Sequence, residues 1–250
     1  MCPYIPKHTK GSYKIMNRMG YACINMQLSN QKPRIYTGRS MIKRTFKAKG
    51  INYASELALS NVRGLREVIK WNNSNGVKVY RMTSCLFPWF SEYDIFDLPD
   101  IDEIAEVMSD AGKIAIESGQ RLSFHPGPFN ILSSPKPHVV ENAYIDLEMH
   151  GKIFDIMGMS RTPGSKINIH VGGTYGGDFA GTAERWCRNF LKLSVNCQNR
   201  LTVENDDKES MFSTKMLYDG VSKHIGIPIV FDSHHHDLGP QDLDYHDAFH

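Results

Sequence analysis

From about residue 50 onward, stretches with apolar residues at helical spacing alternate with short apolar runs, and this rhythm limits the possible folds more than any other feature. Ala58, Val62, Leu65 and Ile69 mark one face of a helix over 54–74, which Asn75-Gly76 closes. Val77-Lys78-Val79-Tyr80 then reads as a strand. Ile101, Ile104, Met108, Ala111 and Ala115 mark a second helix, stopped by Ser118-Gly119 and followed by the strand Arg121-Leu122-Ser123-Phe124. Val140, Ala143, Leu147, Phe154 and Met157 mark a third, before the strand Ile167-Asn168-Ile169-His170-Val171. A fourth helix over about 181–196 precedes Leu201-Thr202-Val203-Glu204, and a fifth over about 211–225 precedes Pro228-Ile229-Val230-Phe231-Asp232. An additional strand near Arg18–Cys23 makes six. Strands separated by helices run parallel, because each crossover returns the chain to the same end of the sheet. Eight such units close a (β/α) barrel, and 250 residues suit one domain of that kind. The expected fold class is α/β: a barrel of about six strand–helix units, incomplete at the C-terminus, with 240–250 reading as the start of another helix.

Charge divides the chain unevenly. Eleven of the 29 Lys and Arg fall within residues 1–50 and none of the 27 Asp and Glu does, so 51–250 carries 18 bases and 27 acids, a balance of −9. Such asymmetry points to a polyanion-binding segment beside an acidic body, against the plainer readings of a solvated tail or a targeting peptide. No apolar run approaches the roughly 18 residues of a membrane span. The opening MCPYIPKHTKG has no apolar core of a secretion signal. Five cysteines (Cys2, Cys23, Cys85, Cys187, Cys197) are an odd number without paired spacing, which argues against a disulfide framework and against a zinc ribbon. The expected setting is intracellular, in cytoplasm or nucleus, with no membrane partner and no organic cofactor.

The last four strands each deliver a potential metal ligand at the C-terminal end: His125, His170, Glu204 and Asp232, with His234-His235-His236 close behind. In parallel α/β folds the C-terminal edge of the strands carries the active site, so side chains 28 to 45 residues apart converge there. Each alone has an ordinary reading, as a capping histidine, a polar loop start or a solvated turn. Recurrence at the same place on successive strands favours a shared metal site. Imidazole and carboxylate without thiolate suit Mn²⁺, Zn²⁺, Fe²⁺ or Mg²⁺.

Several blocks resemble UV damage endonucleases, in the order and at the spacing of that family. They are Met19-Gly20-Tyr21-Ala22-Cys23-Ile24-Asn25-Met26, Asn61-Val62-Arg63 through Trp71-Asn72, and Tyr80-Arg81-Met82-Thr83-Ser84-Cys85-Leu86-Phe87-Pro88. Arg121-Leu122-Ser123-Phe124-His125-Pro126-Gly127, His170-Val171-Gly172-Gly173, Leu201-Thr202-Val203-Glu204-Asn205-Asp206 and Phe231-Asp232-Ser233-His234-His235-His236 follow. HPG, HxGG, ExND and DxxHH together are specific, although any one alone is weak. The resemblance spans about 18–250 and implies a TIM-like barrel endonuclease domain there, preceded by a basic extension over 1–17. It implies a DNA repair endonuclease that nicks damaged double-stranded DNA 5′ to UV photoproducts. Two or three divalent ions, often Mn²⁺, would serve it, with Zn²⁺ or Mg²⁺ as alternatives. By the same resemblance His125, His170, Glu204, Asp232 and His235 match metal-ligand positions and His236 is an adjacent candidate; His125, His170 and Glu204 carry the catalytic expectation. Tyr21 and Asn25 match a pair that wedges into the duplex opposite the lesion. Lys32, Arg34, Arg39, Lys43, Arg44 and Lys47, in the acid-free segment, would contact phosphates.

The chain departs from the family pattern in three places. Pro128-Phe129 stands where relatives often have a lesion-probing Gln-Tyr pair, which keeps the aromatic and loses the amide and hydroxyl. Cys85 stands where some relatives carry a His, and a small buried role is expected for it. Groups that the family draws from its last two strands (a His, a Lys and a Glu) have no counterpart before His250, so the expectation is a fragment or shortened reading frame. Two alternatives share the ligand set: a metal-dependent sugar isomerase or epimerase on a related barrel, and a damage-binding homologue that does not cut.

Overall fold

The computed structural model describes residues 18–239 and 242–249, so the basic extension expected over 1–17 lies outside them. Six parallel strands form one sheet in the order β1 (Gly20–Ala22), β2 (Val79–Met82), β3 (Arg121–Phe124), β4 (Lys166–Ile169), β5 (Leu201–Glu204) and β6 (Ile229–Val230). Each strand pairs with its sequence neighbours, and β1 and β6 are not paired with one another. Every crossover therefore steps the chain one place in the same direction. Right-handed connections then put all the major helices on one face, which is barrel topology rather than a doubly wound sheet. The sheet stays open among the described residues.

The helices are α1 (Met26–Asn30), α2 (Lys43–Ser74), α3 (Ile101–Glu117), α4 (Pro137–Ile156), α5 (Phe179–Phe190), α6 (Val195–Gln198), α7 (Thr214–Leu217), α8 (Lys223–Ile225), α9 (Ser233–Leu238) and α10 (Tyr245–Phe249). Gly50 interrupts α2 with φ 65° and ψ −157°. Helix α3 begins with Asp102 and Glu103, whose charge suits the positive end of the helix dipole, and stops where Gly119 takes φ 65°.

Helix α2 starts at Lys43 rather than near residue 54, β4 and β6 are shorter than the apolar runs expected there, and three other elements differ from expectation, each for a local reason. Strand β2 starts at Val79 because the Val77 amide donates to Asn72 O at 2.9 Å, which commits Val77 to the cap of α2. The helix expected over 181–196 is divided into α5 and α6. Ser194 caps the second piece, and its amide and hydroxyl both donate to the Glu148 carboxylate at 2.6 Å. The helix expected over 211–225 starts at Thr214 and passes through a π-helical turn at Tyr218–Ser222.

Alternation along the strands separates the two faces. Tyr80, Met82, Leu122, Phe124, Ile167, Ile169, Leu201 and Val203 belong to the single apolar core, with Trp186 and Phe154 from the helices. The intervening positions Ser123, Asn168, Thr202 and Glu204 occupy the other face and lead to the C-terminal rim. Two buried polar groups are held by structural contacts, although His150 Nε2 and one terminal nitrogen of Arg200 have no hydrogen-bond partner. His150 lies with Nδ1 3.0 Å from Asp146 Oδ1 and its ring edge-on to Phe124. Arg200, fully buried at the foot of β5, donates to Asp155 Oδ1 at 2.9 Å and to Met159 O at 2.8 Å.

Candidate metal centre

Four strand exits build the site. His125 follows β3 directly, His170 follows β4, Glu204 ends β5, and Asp232 lies two residues past β6. Asp232 also caps α9: its Oδ1 accepts from the His235 amide at 3.0 Å, so one carboxylate starts the helix that presents the next imidazole. Asn205 ties the last two exits together. Its Nδ2 donates to Asp232 O at 2.9 Å and its Oδ1 accepts from the Asp232 amide at 2.7 Å.

Glu204 is the hub. Oε2 lies 3.7 Å from His125 Nε2; Oε1 lies 3.7 Å from His170 Nε2 and 3.4 Å from His235 Nδ1. The rings of His125 and His170 are 5.3 Å apart and those of His170 and His235 5.4 Å. Ligand atoms of His125, His170 and Glu204 fall within 4.8 Å of one another, as do those of Glu204, Asp232 and His235. Burial opposes a charge on Glu204, but the three surrounding imidazoles overcome it and hold the carboxyl below its usual range. Burial likewise opposes a charge on His170, and Asp206 and Glu204 overcome it and raise the imidazole.

The outer ring nitrogens show whether the donor set fits a divalent cation. His125 Nδ1 lies 3.2 Å from Pro126 O, and His170 Nδ1 lies 3.2 Å from Asp206 Oδ1. A hydrogen on Nδ1 in both rings leaves the Nε2 lone pairs facing Glu204, the arrangement that metal-bound histidines adopt. All-nitrogen-and-oxygen donors around a buried carboxylate fit a hard or borderline divalent ion. Free Cys85 is exposed rather than buried as expected, because it lies in the loop beyond β2 instead of behind the sheet.

His236 is turned into the protein, 7% exposed, with its ring against Phe231 and Tyr245, and it belongs to neither ligand group. Tyr21 points to the helical side of β1: its ring meets Trp71 and Tyr80, and its hydroxyl donates to Asn72 Oδ1 at 2.7 Å. Asn25 is buried, caps α1 and donates to the Tyr21 hydroxyl at 2.8 Å. Phe129 is 82% exposed and Pro128 is exposed beside it. A cavity of about 310 Å³ opens next to the cluster, lined by Pro128, Asn130, His170, Asp206, Lys208 and His235. Lys32, Arg34, Lys43, Arg44 and Lys47 are exposed, whereas the Arg39 guanidinium is engaged by the carbonyls of Tyr36 and Arg34. Asn205 and Asp206 carry site roles that the ligand pattern alone does not assign; their signal in the sequence is the short polar run directly behind a strand-ending Glu.

Residues 17–249 match the sequence family described as UV-endonuclease UvdE. The chain belongs to that family. A UV-damage endonuclease of Neurospora crassa is 32% identical over 94% of this chain and 39% of its own length. A UV DNA damage endonuclease of Bacillus cereus is 30% identical over 88% of this chain and 67% of its own. The crystal structure of SacUVDE superposes with a TM-score of 0.81 at 28% identity, over 93% of this chain and 74% of that one. The chain thus spans well under half the length of its Neurospora relative. No helix among its described residues is long and apolar enough to cross a membrane.

Proposed function

We propose that this chain is a DNA repair endonuclease that nicks damaged duplex DNA on the 5′ side of UV photoproducts, with two or three divalent ions, Mn²⁺ foremost, held at the rim of the sheet. The observation that carries this reading is Glu204, buried and faced on both carboxylate oxygens by imidazoles from three other chain segments. Divalent ions held there would acidify a bound water and neutralise charge on a phosphate. His125 and His170 would hold them through Nε2, with Glu204 shared between that group and the one formed with Asp232 and His235. The cavity beside His170 and His235 gives a phosphate room to approach, and Lys208 on its wall offers it a positive charge. Exposed Lys32, Arg34, Lys43, Arg44 and Lys47 would bind the backbone of the duplex, and exposed Pro128 and Phe129 would meet the lesion. Damaged dinucleotides stack poorly and cost less to extrude than intact ones, which supplies selectivity.

The test compares irradiated with untreated supercoiled plasmid, with Mn²⁺ and with chelator. Nicking confined to irradiated plasmid with Mn²⁺ is expected. Glu204→Gln should lower the nicking rate at least a hundredfold while largely sparing retention of irradiated duplex in a gel shift. Unchanged nicking by Glu204→Gln would defeat the assignment. Retention without nicking by the unaltered chain would favour a damage-binding homologue.

A further inference from the structure

Two buried side chains behind the ligand cluster neither bind the cations nor touch DNA in the proposed reaction. Asn168 on β4 and Thr202 on β5 are in register with each other and only 6% and 2% exposed. They share a face with His170 and Glu204, one inward-facing position below the rim. Polar groups buried this deeply cost free energy unless they are bonded. Thr202 Oγ1 donates to Asn168 Oδ1 at 2.7 Å, and Asn168 Nδ2 donates to Glu204 Oε2. The order has a direction. A hydroxyl that engages the amide oxygen turns the amide nitrogen toward the carboxylate; the reversed amide would set two acceptors against each other without a proton between them.

The terminal torsion of a glutamate is soft, so burial alone does not fix the plane of the Glu204 carboxylate. That plane matters because Oε2 faces His125 while Oε1 faces His170 and His235. A rotated carboxylate would disturb both groups at once.

We propose that Thr202 and Asn168 are positioning residues that lock the Glu204 carboxylate in the orientation needed to bind divalent cations. The inference rests on the metal-centre reading of the five ligands. It is tested by titrating Mn²⁺ into the metal-stripped chain calorimetrically, with thermal melts in chelator as the control for folding. Thr202→Val, which keeps the shape and removes the hydroxyl, should bind Mn²⁺ about tenfold or more weakly, the usual scale for partners behind a ligand. Asn168→Ala should do the same, and Thr202→Ser should stay within about twofold of the unaltered chain. On irradiated duplex, Thr202→Val should lower kcat and leave KM unchanged. Should Thr202→Val melt far below the unaltered chain, Asn168→Ala and the Thr202→Ser rescue decide the question. Undiminished Mn²⁺ affinity in both Thr202→Val and Asn168→Ala would overturn the positioning role alone, as would Thr202→Ser binding as weakly as Thr202→Val. An unaltered chain that takes up no Mn²⁺ would overturn the metal centre itself.

Discussion

Asp206 lies 5% exposed with Oδ1 3.2 Å from His170 Nδ1, a contact that favours a hydrogen on that nitrogen over the other. Asp206→Asn keeps the shape but offers an uncharged and weaker acceptor, and should lower Mn²⁺ affinity about tenfold with little change in melting in chelator. Metal content after dialysis against limiting Mn²⁺ is the measurement. Tyr21 presents a different balance, because its ring already packs on Trp71 and Tyr80 and its hydroxyl serves both Asn72 and Asn25. Tyr21→Phe should cost about 1 kcal/mol of stability through the lost hydrogen bonds. If Tyr21 also reads lesions, Tyr21→Ala should narrow the ratio of gel-shift affinities for irradiated and intact duplex. An unaltered ratio would leave it a packing residue only.

At the scale of elements, β5 carries the hub at one end and a buried cation at the other. Arg200 pairs with Asp155, on α4, and its Nε and Nη2 donate to carbonyls of the loop before β4. Asp155→Ala would strand that charge and should destabilise the chain by about 3 kcal/mol, read from denaturant melts. The same element shows why some of the site was legible in sequence and some was not. His125, His170, Glu204 and Asp232 each end a separate apolar run, so strand periodicity places them on one rim without knowledge of the packing. Asn168 and Thr202 look like the polar half of an alternating strand. Their roles arise laterally, across sequence separations of 34 and 36 residues, and no local pattern encodes that. His236 illustrates the converse: it stands in the sequence as an adjacent candidate beside His235, yet a single residue step along α9 sends His235 to the cluster and His236 into the protein. The split between α5 and α6 was equally hidden, since it depends on Glu148 of α4 capturing Ser194.

For the whole molecule, the separation of charge sets how DNA binding should respond to salt. Five exposed bases of the acid-free segment, Lys32, Arg34, Lys43, Arg44 and Lys47, predict a slope of about −4 for log affinity against log salt concentration. A slope near zero in a filter-binding series would remove that segment from the interface. Sheet order, in turn, makes the proposed metal centre a shared property. The β5 end, the β6 exit and α9 supply one three-residue group, and His125 and His170 add the other through Glu204, so both groups form together only when β3 through β6 and the turn into α9 are all in register. Saturating Mn²⁺, at about a hundred times its dissociation constant, should then protect the chain by about 2.7 kcal/mol against unfolding. Cation release and loss of helical signal should coincide on heating, so the bound ion becomes a gauge of how cooperatively four successive units hold together.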